Sequence, residues 1–159
     1  MENNKFIGIS ENRAKHMLAV ARKAYEIAKA ERYDEKFCRK MFLIGYIHDI
    51  GYEFSTKQED HPFISMEMIM SLSENRSIDD VVYYAIAKHG CYTDKKTDEW
   101  KILNIADMLI DENGNETSVT KRLDGIKEKY GENSNQYLTA CDICYQIGLT
   151  AINLAKNKT

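Results

Sequence analysis

The sequence predicts an all-α protein, a helical bundle of about six or seven helices. Apolar residues recur at the spacing typical of helices, and few segments show the alternation typical of strands. Pro62 is the only proline, so the chain has few points at which a helix must break. We therefore expect helices packed on one another, with the segment that carries His48 and Asp49 near the centre of the bundle.

The first half of the chain predicts three helices. The first covers about residues 11–30, where alanine and larger apolar residues follow helical spacing. The second covers about residues 34–50 with Gly51 as its stop, and the polar segment 52–60 predicts a loop. Asp60 is then placed to cap the third helix, with Pro62 inside its first turn.

Two further helices are predicted in the middle of the chain. Residues 77–80, Ser-Ile-Asp-Asp, resemble a capping box with Asp in place of Glu or Gln, and they begin a helix that ends near Gly90. The next helix begins at residue 97 or 98 and continues to about residue 110. The run Asn-Gly-Asn at residues 113–115 then predicts a break.

The last two predicted helices cover about residues 118–130, with Gly131 as the stop, and about residues 135–156. Cys141 and Cys144 on the final helix have the C-x-x-C spacing of redox or zinc sites. No second cysteine pair accompanies them, so small packed thiols are the favoured interpretation. Four cysteines in a chain of this size give no disulfide framework: Cys38, Cys91, Cys141 and Cys144.

Length and charge exclude several classes of protein. A chain of 159 residues is most simply one domain that can bury a real core. A net charge of −3 without a long basic run argues against duplex nucleic acid as the main partner. No apolar stretch approaches the roughly 20 residues of a membrane span, and residues 1–5 lack the order of a signal peptide. We therefore expect a soluble cytoplasmic protein.

Six residues that could ligate a metal fall one group to each of the first five predicted helices. They are His16, the adjacent pair His48 and Asp49, His61, His89 and Asp107. The pair lies in the otherwise apolar run 42–51, where a carboxylate without a partner would be costly to desolvate. A cation held jointly with imidazoles from other helices would satisfy it.

Each candidate taken alone has an ordinary structural alternative. His16 fits a hydrogen-bonded core histidine, His61 an exposed histidine at a helix start, and Asp107 the solvated face of its helix. His89 follows an apolar face and fits either interpretation. The set argues more strongly than its members, because the protein has only four histidines and all four occupy candidate positions.

Four of these elements, in this order, resemble the H…HD…D signature of the HD-domain metal-dependent phosphohydrolases. They are His16, the pair in Ile-His-Asp-Ile-Gly at residues 47–51, and Asp107. His61 and His89 look like the additional ligands of HD proteins that hold two metals. In this respect the chain is similar to the bacterial HD family that hydrolyses symmetrical dinucleoside tetraphosphates. It also resembles the HD-GYP phosphodiesterases, although it has no GYP segment.

This resemblance implies a single HD domain over residues 1–159, with a ligand-bearing core at about 11–112 and C-terminal helices at about 118–157. It places His16, His48, Asp49 and Asp107 around one metal. His61 and His89 would complete a second site, with Asp49 bridging the two ions and with His48 and Asp49 at the catalytic centre. Imidazole-rich sites favour iron, manganese, cobalt, nickel or zinc, so we expect two divalent transition-metal ions.

Charged neighbours of the signature are candidates for contact with the substrate. Arg13, one turn before His16, and Lys88, next to His89, are placed to bind phosphate. The alternative is that both are ordinary exposed helix charges. Glu53 and Asp111 are candidates for proton handling, with polar surface as their alternative role.

The resemblance implies a metal-dependent phosphohydrolase that acts on a small nucleotide, most closely a dinucleoside polyphosphate. Two cations can hold a bridging water, lower its pKa and neutralise charge on the phosphoryl oxygens. A nucleotidase for mononucleotides, a regulatory HD module that keeps metals without turnover, and a nonenzymatic helical protein remain as alternatives. A homodimer is a further expectation.

Overall fold

A computed structural model describes residues 8–73 and 78–148 of the chain. These residues form seven α-helices and no β-strand, and Ile110 and Glu116 make an isolated β-bridge. The all-α prediction is confirmed. The helices are α1 (Glu11–Ala30), α2 (Glu35–Ile47), α3 (His61–Leu72), α4 (Asp80–Ala87), α5 (Asp98–Met108), α6 (Val119–Tyr130) and α7 (Asn135–Gln146).

Several helix ends agree with the sequence. Helix α1 has the predicted bounds, and the Ser10 side chain caps it by accepting from the amide of Arg13. Helix α6 ends at Tyr130, and Gly131 follows with φ +96°, a left-handed backbone that favours glycine. Helix α7 ends at Gln146, earlier than the predicted residue 156, and Gly148 follows with φ +76°. Three predictions fall on residues outside the described ranges: the N-terminal run 1–5, Ser77 of the capping box, and the helical residues predicted after 148.

Helix α2 ends three residues earlier than predicted. Its last residue is Ile47, so His48 and Asp49 lie in the turn that follows it rather than inside the helix. Gly51 has φ −89°, which is not a left-handed stop. Its lack of a side chain instead permits close packing, because a Cβ there would lie 2.5 Å from the amide nitrogen of Ser65 in α3.

The predicted loop at residues 52–60 contains two short 3₁₀ helices, Tyr52–Phe54 and Gln58–Asp60. Asp60 precedes α3 as predicted, but its side chain makes no capping hydrogen bond. Asp79 performs that role for α4 by accepting from the amide of Val81.

Two candidate ligands also lie differently along their helices. Helix α4 ends at Ala87, so His89 lies in the turn beyond it instead of closing the helix. Asp107 is the penultimate residue of α5, because this helix ends at Met108 and not at about residue 110 as predicted. Both corrections have the same effect, since they place the side chain at a helix end, where the chain turns towards its neighbours.

The core packs α2 and α5 against α1 and α4. Helices α1 and α2 approach closely at Gly45, where a Cβ would lie 2.7 Å from the Cα of Ala21. Trp100 of α5 is fully buried, as is His48 beyond the end of α2. Helices α6 and α7 pack on each other, and a second small cluster joins Met108, Val119 and Cys144. None of the helices in the described ranges combines the length and apolar character that a membrane crossing requires.

Candidate metal centre

The six predicted ligands come together at one place in the bundle. Four of the segments that carry them are helix ends or the turns that follow, and the fifth is the interior of α1, which carries His16. All of these side chains are buried except Asp107, whose side chain is 21% exposed. Two groups of three residues could each hold a metal ion, and Asp49 belongs to both: His16, His48 and Asp49, and Asp49, His61 and His89.

In the first group the ring nitrogens face two carboxylates. Nε2 of His16 lies 3.0 Å from Oδ1 of Asp107 and 3.6 Å from Oδ2 of Asp49. Nε2 of His48 lies 3.5 Å from Oδ1 of Asp49 and 3.7 Å from Oδ1 of Asp107. Asp107 therefore adds a fourth donor to this group.

The second group is built around Oδ1 of the shared carboxylate. Nε2 of His61 lies 3.2 Å from Oδ1 of Asp49, and Nε2 of His89 lies 3.1 Å from the same atom. The two Nε2 atoms are 3.1 Å apart. Three donors from three segments of the chain thus surround one point.

Backbone carbonyls fix how all four rings are oriented. Nδ1 of His48 is 2.7 Å from the carbonyl of Gly45, and Nδ1 of His89 is 2.6 Å from that of Ile86. His61 makes the same contact with Gln58, and His16 contacts the carbonyl of Asp111 at 2.8 Å. Because a carbonyl only accepts, each Nδ1 must donate, and in a neutral ring Nε2 then carries the lone pair.

This arrangement leaves lone pairs without donors. Nε2 of His61 and Nε2 of His89 face each other as acceptors. Nε2 of His16 and Nε2 of His48 are buried and face the carboxylates of Asp49 and Asp107, so in the neutral rings neither nitrogen meets a donor among the described residues. Buried polar atoms without partners are costly, and a cation between them removes that cost.

The distances between donor atoms also suit a transition-metal ion. With metal–ligand bonds of about 2.1 Å, adjacent donors lie about 3.0 Å apart in an octahedron and about 3.4 Å apart in a tetrahedron. The separations in the site are 3.0–3.7 Å. Imidazole nitrogens with two carboxylates form a donor set for iron, manganese, cobalt, nickel or zinc. The residues present therefore fit the metals that the sequence predicts.

The histidines keep both carboxylates in the ionised form that binds metal. Burial opposes the charge on Asp49, but His48, His61 and His89 outweigh it and hold its pKa well below the usual value. Burial likewise opposes the charge on Asp107, and hydrogen bonding to His16 and the charge of His48 lower its pKa well below the usual range. Burial disfavours the charged form of His16, but Asp107 and Asp49 raise its pKa overall.

Arg13 lies beside the shared carboxylate. Its Nη1 donates to Oδ2 of Asp49 at 2.5 Å, and its guanidinium stacks over the ring of Tyr52 at 3.5 Å. The sequence predicts the approach of Arg13 to the site but gives no role to Tyr52. The aromatic ring fixes the guanidinium plane at the edge of the metal centre.

A cavity of about 820 Å³ opens onto the centre. Asp49, His61, His89, Asp107 and Arg13 line it. Of the charged candidates, Lys88 is exposed and does not line the cavity, and Glu53 accepts from the amide of Ser10 instead of facing it. Asp111 does line the cavity. Three basic residues that sequence reasoning missed also line it, Lys121, Arg122 and Lys129 of α6.

Two residues of α5 that sequence reasoning missed, Trp100 and Asn104, hold the backbone on either side of His89. Asn104 of α5 accepts from the amide of Gly90 at 2.8 Å, and its amide group donates to the carbonyl of Trp100. The indole of Trp100 donates to the carbonyl of Lys88 at 2.8 Å. The sequence does place Trp100, Asn104 and Asp107 on one face of α5. It does not show that this face packs against residues 88–90, because that contact is tertiary.

A family model described as the HD domain matches residues 13–110 of the chain. The chain belongs to the HD domain family. The matched range contains all six candidate ligands and Arg13. HD domains are mostly metal-dependent hydrolases, which indicates a metal-dependent phosphohydrolase in general terms. Comparison with curated proteins and with solved structures gives no match. Helices α6 and α7 lie outside the matched range.

The C-x-x-C pair forms no part of this centre. Cys141 and Cys144 are free thiols, and neither lies in the groups of described residues that could hold a metal. Cys144 packs against Met108 and Val119, and burial, with a contribution from Cys141, raises its pKa to about 11. These observations support the packed-thiol interpretation.

Proposed function

We propose that this HD protein is a binuclear phosphohydrolase in which Asp49 bridges two divalent transition-metal ions. His16, His48 and Asp107 complete the first site, and His61 and His89 complete the second. One observation carries the proposal. Four imidazoles donate from Nδ1 to backbone carbonyls and direct Nε2 towards two carboxylates, so that acceptors face acceptors. Bound metal ions satisfy such a set of neutral rings without protonation or a change of tautomer.

Bound ions of this kind lower the pKa of a water molecule and neutralise charge on phosphoryl oxygens. The protein's own residues supply the orientation. His48 and Asp49 are anchored in the turn after α2, within the reach of both groups. When ions neutralise Asp49, the guanidinium of Arg13, held over Tyr52, can turn its donors to a phosphate in the cavity.

The substrate that we propose is a small nucleotide, most closely a dinucleoside polyphosphate, as in the tetraphosphatase branch of the HDIG proteins. The Ile-His-Asp-Ile-Gly run with two extra histidines supports this subgroup. The cavity volume of about 820 Å³ also supports it, since ligand pockets span about 300–1,000 Å³ and this one is near the upper end. Lys88 lies outside the cavity, so we place phosphate contact on Arg13 instead.

Metal analysis tests the binuclear site. Protein purified without added metal should contain close to two metal ions per chain, as measured by elemental mass spectrometry. Asp49→Asn should lose both ions, because the bridging carboxylate serves both sites, and His61→Ala should lose one. Asp142→Asn removes an exposed carboxylate of α7 outside the cavity and serves as the control. At most one ion in the wild type, unchanged in His61→Ala, would contradict two sites.

A substrate panel tests the reaction. Metal-loaded protein should release ADP from diadenosine tetraphosphate, and Asp49→Asn should not. Turnover of mononucleotides alone would favour a nucleotidase. Two bound ions without turnover of tetraphosphate, mononucleotides or cyclic dinucleotides would favour the regulatory module. A homodimer and a cytoplasmic location stay predictions, and a measurement of molecular mass in solution checks the first.

A further inference from the structure

Two cationic side chains of α6 face the cavity of the metal centre. Lys121 and Arg122, in the first turn of that helix, line the same cavity as Asp49 and Asp107. The helix lies outside the range that the family model matches, so the HD signature does not account for these charges. Two positive charges at this position favour an anionic ligand in the cavity.

Neither cation has an ion-pair or side-chain hydrogen-bond partner among the described residues. Nε of Arg122 is buried and has no hydrogen-bond acceptor there, and no described carboxylate lies within 4 Å of either side chain's nitrogens. Two other lysines are paired with acids. Lys23 pairs with Glu116, and Lys127, farther along α6, pairs with Glu132. A buried guanidinium nitrogen without an acceptor is costly, so an anionic ligand would stabilise this wall.

The nearby acids do not satisfy Arg122. Arg122 and Asp111 interact electrostatically. The Asp111 carboxylate, however, already accepts hydrogen bonds from the backbone amides of Asn113 and Asn115, each at 2.9 Å. The remaining basic residue of the wall, Lys129, lies 3.9 Å from Glu112 and is already paired. Arg122 is therefore the basic residue of this wall that keeps a buried donor without an acceptor, and the exposed Lys121 beside it adds a second unpaired charge.

We propose that Lys121 and Arg122 form a phosphate subsite for a second phosphate of an extended polyphosphate. This inference rests on the proposed function, because it assumes that one phosphate lies at the ions. A guanidinium offers a planar pair of donors that matches phosphate oxygens, and an adjacent ammonium adds a mobile charge. The subsite would give preference to substrates whose phosphate chain continues beyond the reacting phosphorus, over those that carry one phosphate.

Binding of inorganic polyphosphate tests the subsite without requiring turnover. The probes are inorganic tripolyphosphate and inorganic phosphate, titrated calorimetrically into the metal-loaded full-length protein. Lys121→Gln combined with Arg122→Gln should weaken tripolyphosphate binding about 10- to 100-fold, as expected for lost charge-assisted hydrogen bonds. Binding of single inorganic phosphate should change less than about twofold, since the ions and Arg13 would hold it.

The matched control combines Lys127→Gln with Arg39→Gln. These changes also remove two positive charges, but from residues that do not line the cavity and that are paired with exposed acids. Equal weakening in the control would show that only net charge matters and would overturn the subsite. Unchanged tripolyphosphate binding in the α6 variant would overturn it as well.

Kinetics separate this inference from the function on which it rests. If diadenosine tetraphosphate is hydrolysed, the α6 variant should raise KM for it about 10- to 100-fold. KM for a single-phosphate ester should stay the same, and so should the metal content. An equal rise in KM for both substrates would overturn the subsite. If no substrate is hydrolysed, the proposed reaction fails, but selective loss of tripolyphosphate binding would still support the subsite.

Discussion

Replacement of Gly45 with alanine should push α1 away from α2 and selectively damage the metal group that spans them. The new Cβ would lie 2.7 Å from Cα and 2.9 Å from N of Ala21, and 3.0 Å from the carbonyl oxygen of Val20. All three atoms are backbone, so no side chain can rotate away. His16 is on α1 and His48 follows α2, so the rings of the first group would move apart.

The size of the shift follows from these contacts. Ordinary van der Waals contact begins at 3.4 Å, so the nearest pair, at 2.7 Å, must open by 3.4 − 2.7 = 0.7 Å. Metal–ligand distances tolerate only about 0.2 Å. Overpacking costs about 1–3 kcal/mol, and the better helix propensity of alanine offsets up to about 1 kcal/mol. The free energy of unfolding should therefore fall by about 1–2 kcal/mol, and Tm by about 2–8 °C.

Urea unfolding of the metal-free protein measures the packing term, and elemental analysis after reconstitution measures the site. Gly45→Ala should retain the ion of the His61 and His89 group and lose the ion of the His16 and His48 group. Gly125→Ala is the matched control, because a Cβ on this residue of α6 meets nothing within 4 Å. That variant should gain about 0.5–1 kcal/mol and keep both ions. Wild-type stability and full metal content in Gly45→Ala would refute the reasoning.

Three further predictions concern single residues. Asn104→Ala should remove the acceptor for the amide of Gly90, lower the free energy of unfolding by about 1 kcal/mol and weaken metal binding; unchanged metal affinity would contradict its positioning role. The raised pKa of His16 stabilises the metal-free protein fully below pH 6.5 and less as the pH rises through the folded-state pKa, so thermal melts should show Tm falling above that pH. Asp107→Asn should flatten this dependence, and a melt that it leaves unaltered would assign the effect elsewhere. Cys144, with its pKa raised to about 11, should react with iodoacetamide at about pH 8 far more slowly than in urea-unfolded protein, whereas equal rates would show an open thiol.

Sequence periodicity predicted the fold class and the order of the helices, because the start and the end of a helix depend on residues close together in the sequence. Ser10 and Ser118 cap α1 and α6 through their own side chains, and Gly131 marks the end of α6 by its backbone preference. The end of α2 was predicted wrongly because Gly51 is needed for contact with α3, not for a left-handed turn. A single sequence does not distinguish these two reasons for glycine.

The ligand set was named from the sequence because each of its residues is a type that carries this chemistry. The structure brings all six together, while their roles as ligands stay part of the proposal. The supporting groups were not predictable, since any residue provides a backbone carbonyl such as that of Gly45. Lys121 and Arg122 were missed for a related reason, as the approach of α6 to the cavity depends on tertiary packing. Lys88 shows the converse case, since it is next to His89 in sequence but is exposed and does not line the cavity.

The anchoring of the imidazoles gives the site an order of assembly. His48, His61 and His89 each donate to the carbonyl three residues earlier, so their own turns aim these rings as soon as the turns form. His16 instead depends on the carbonyl of Asp111, which lies 95 residues later in the chain. During synthesis, its ring therefore stays unaligned until the chain beyond α5 has returned to α1. Among the four histidines, His16 alone takes its ring orientation from a distant segment of the chain.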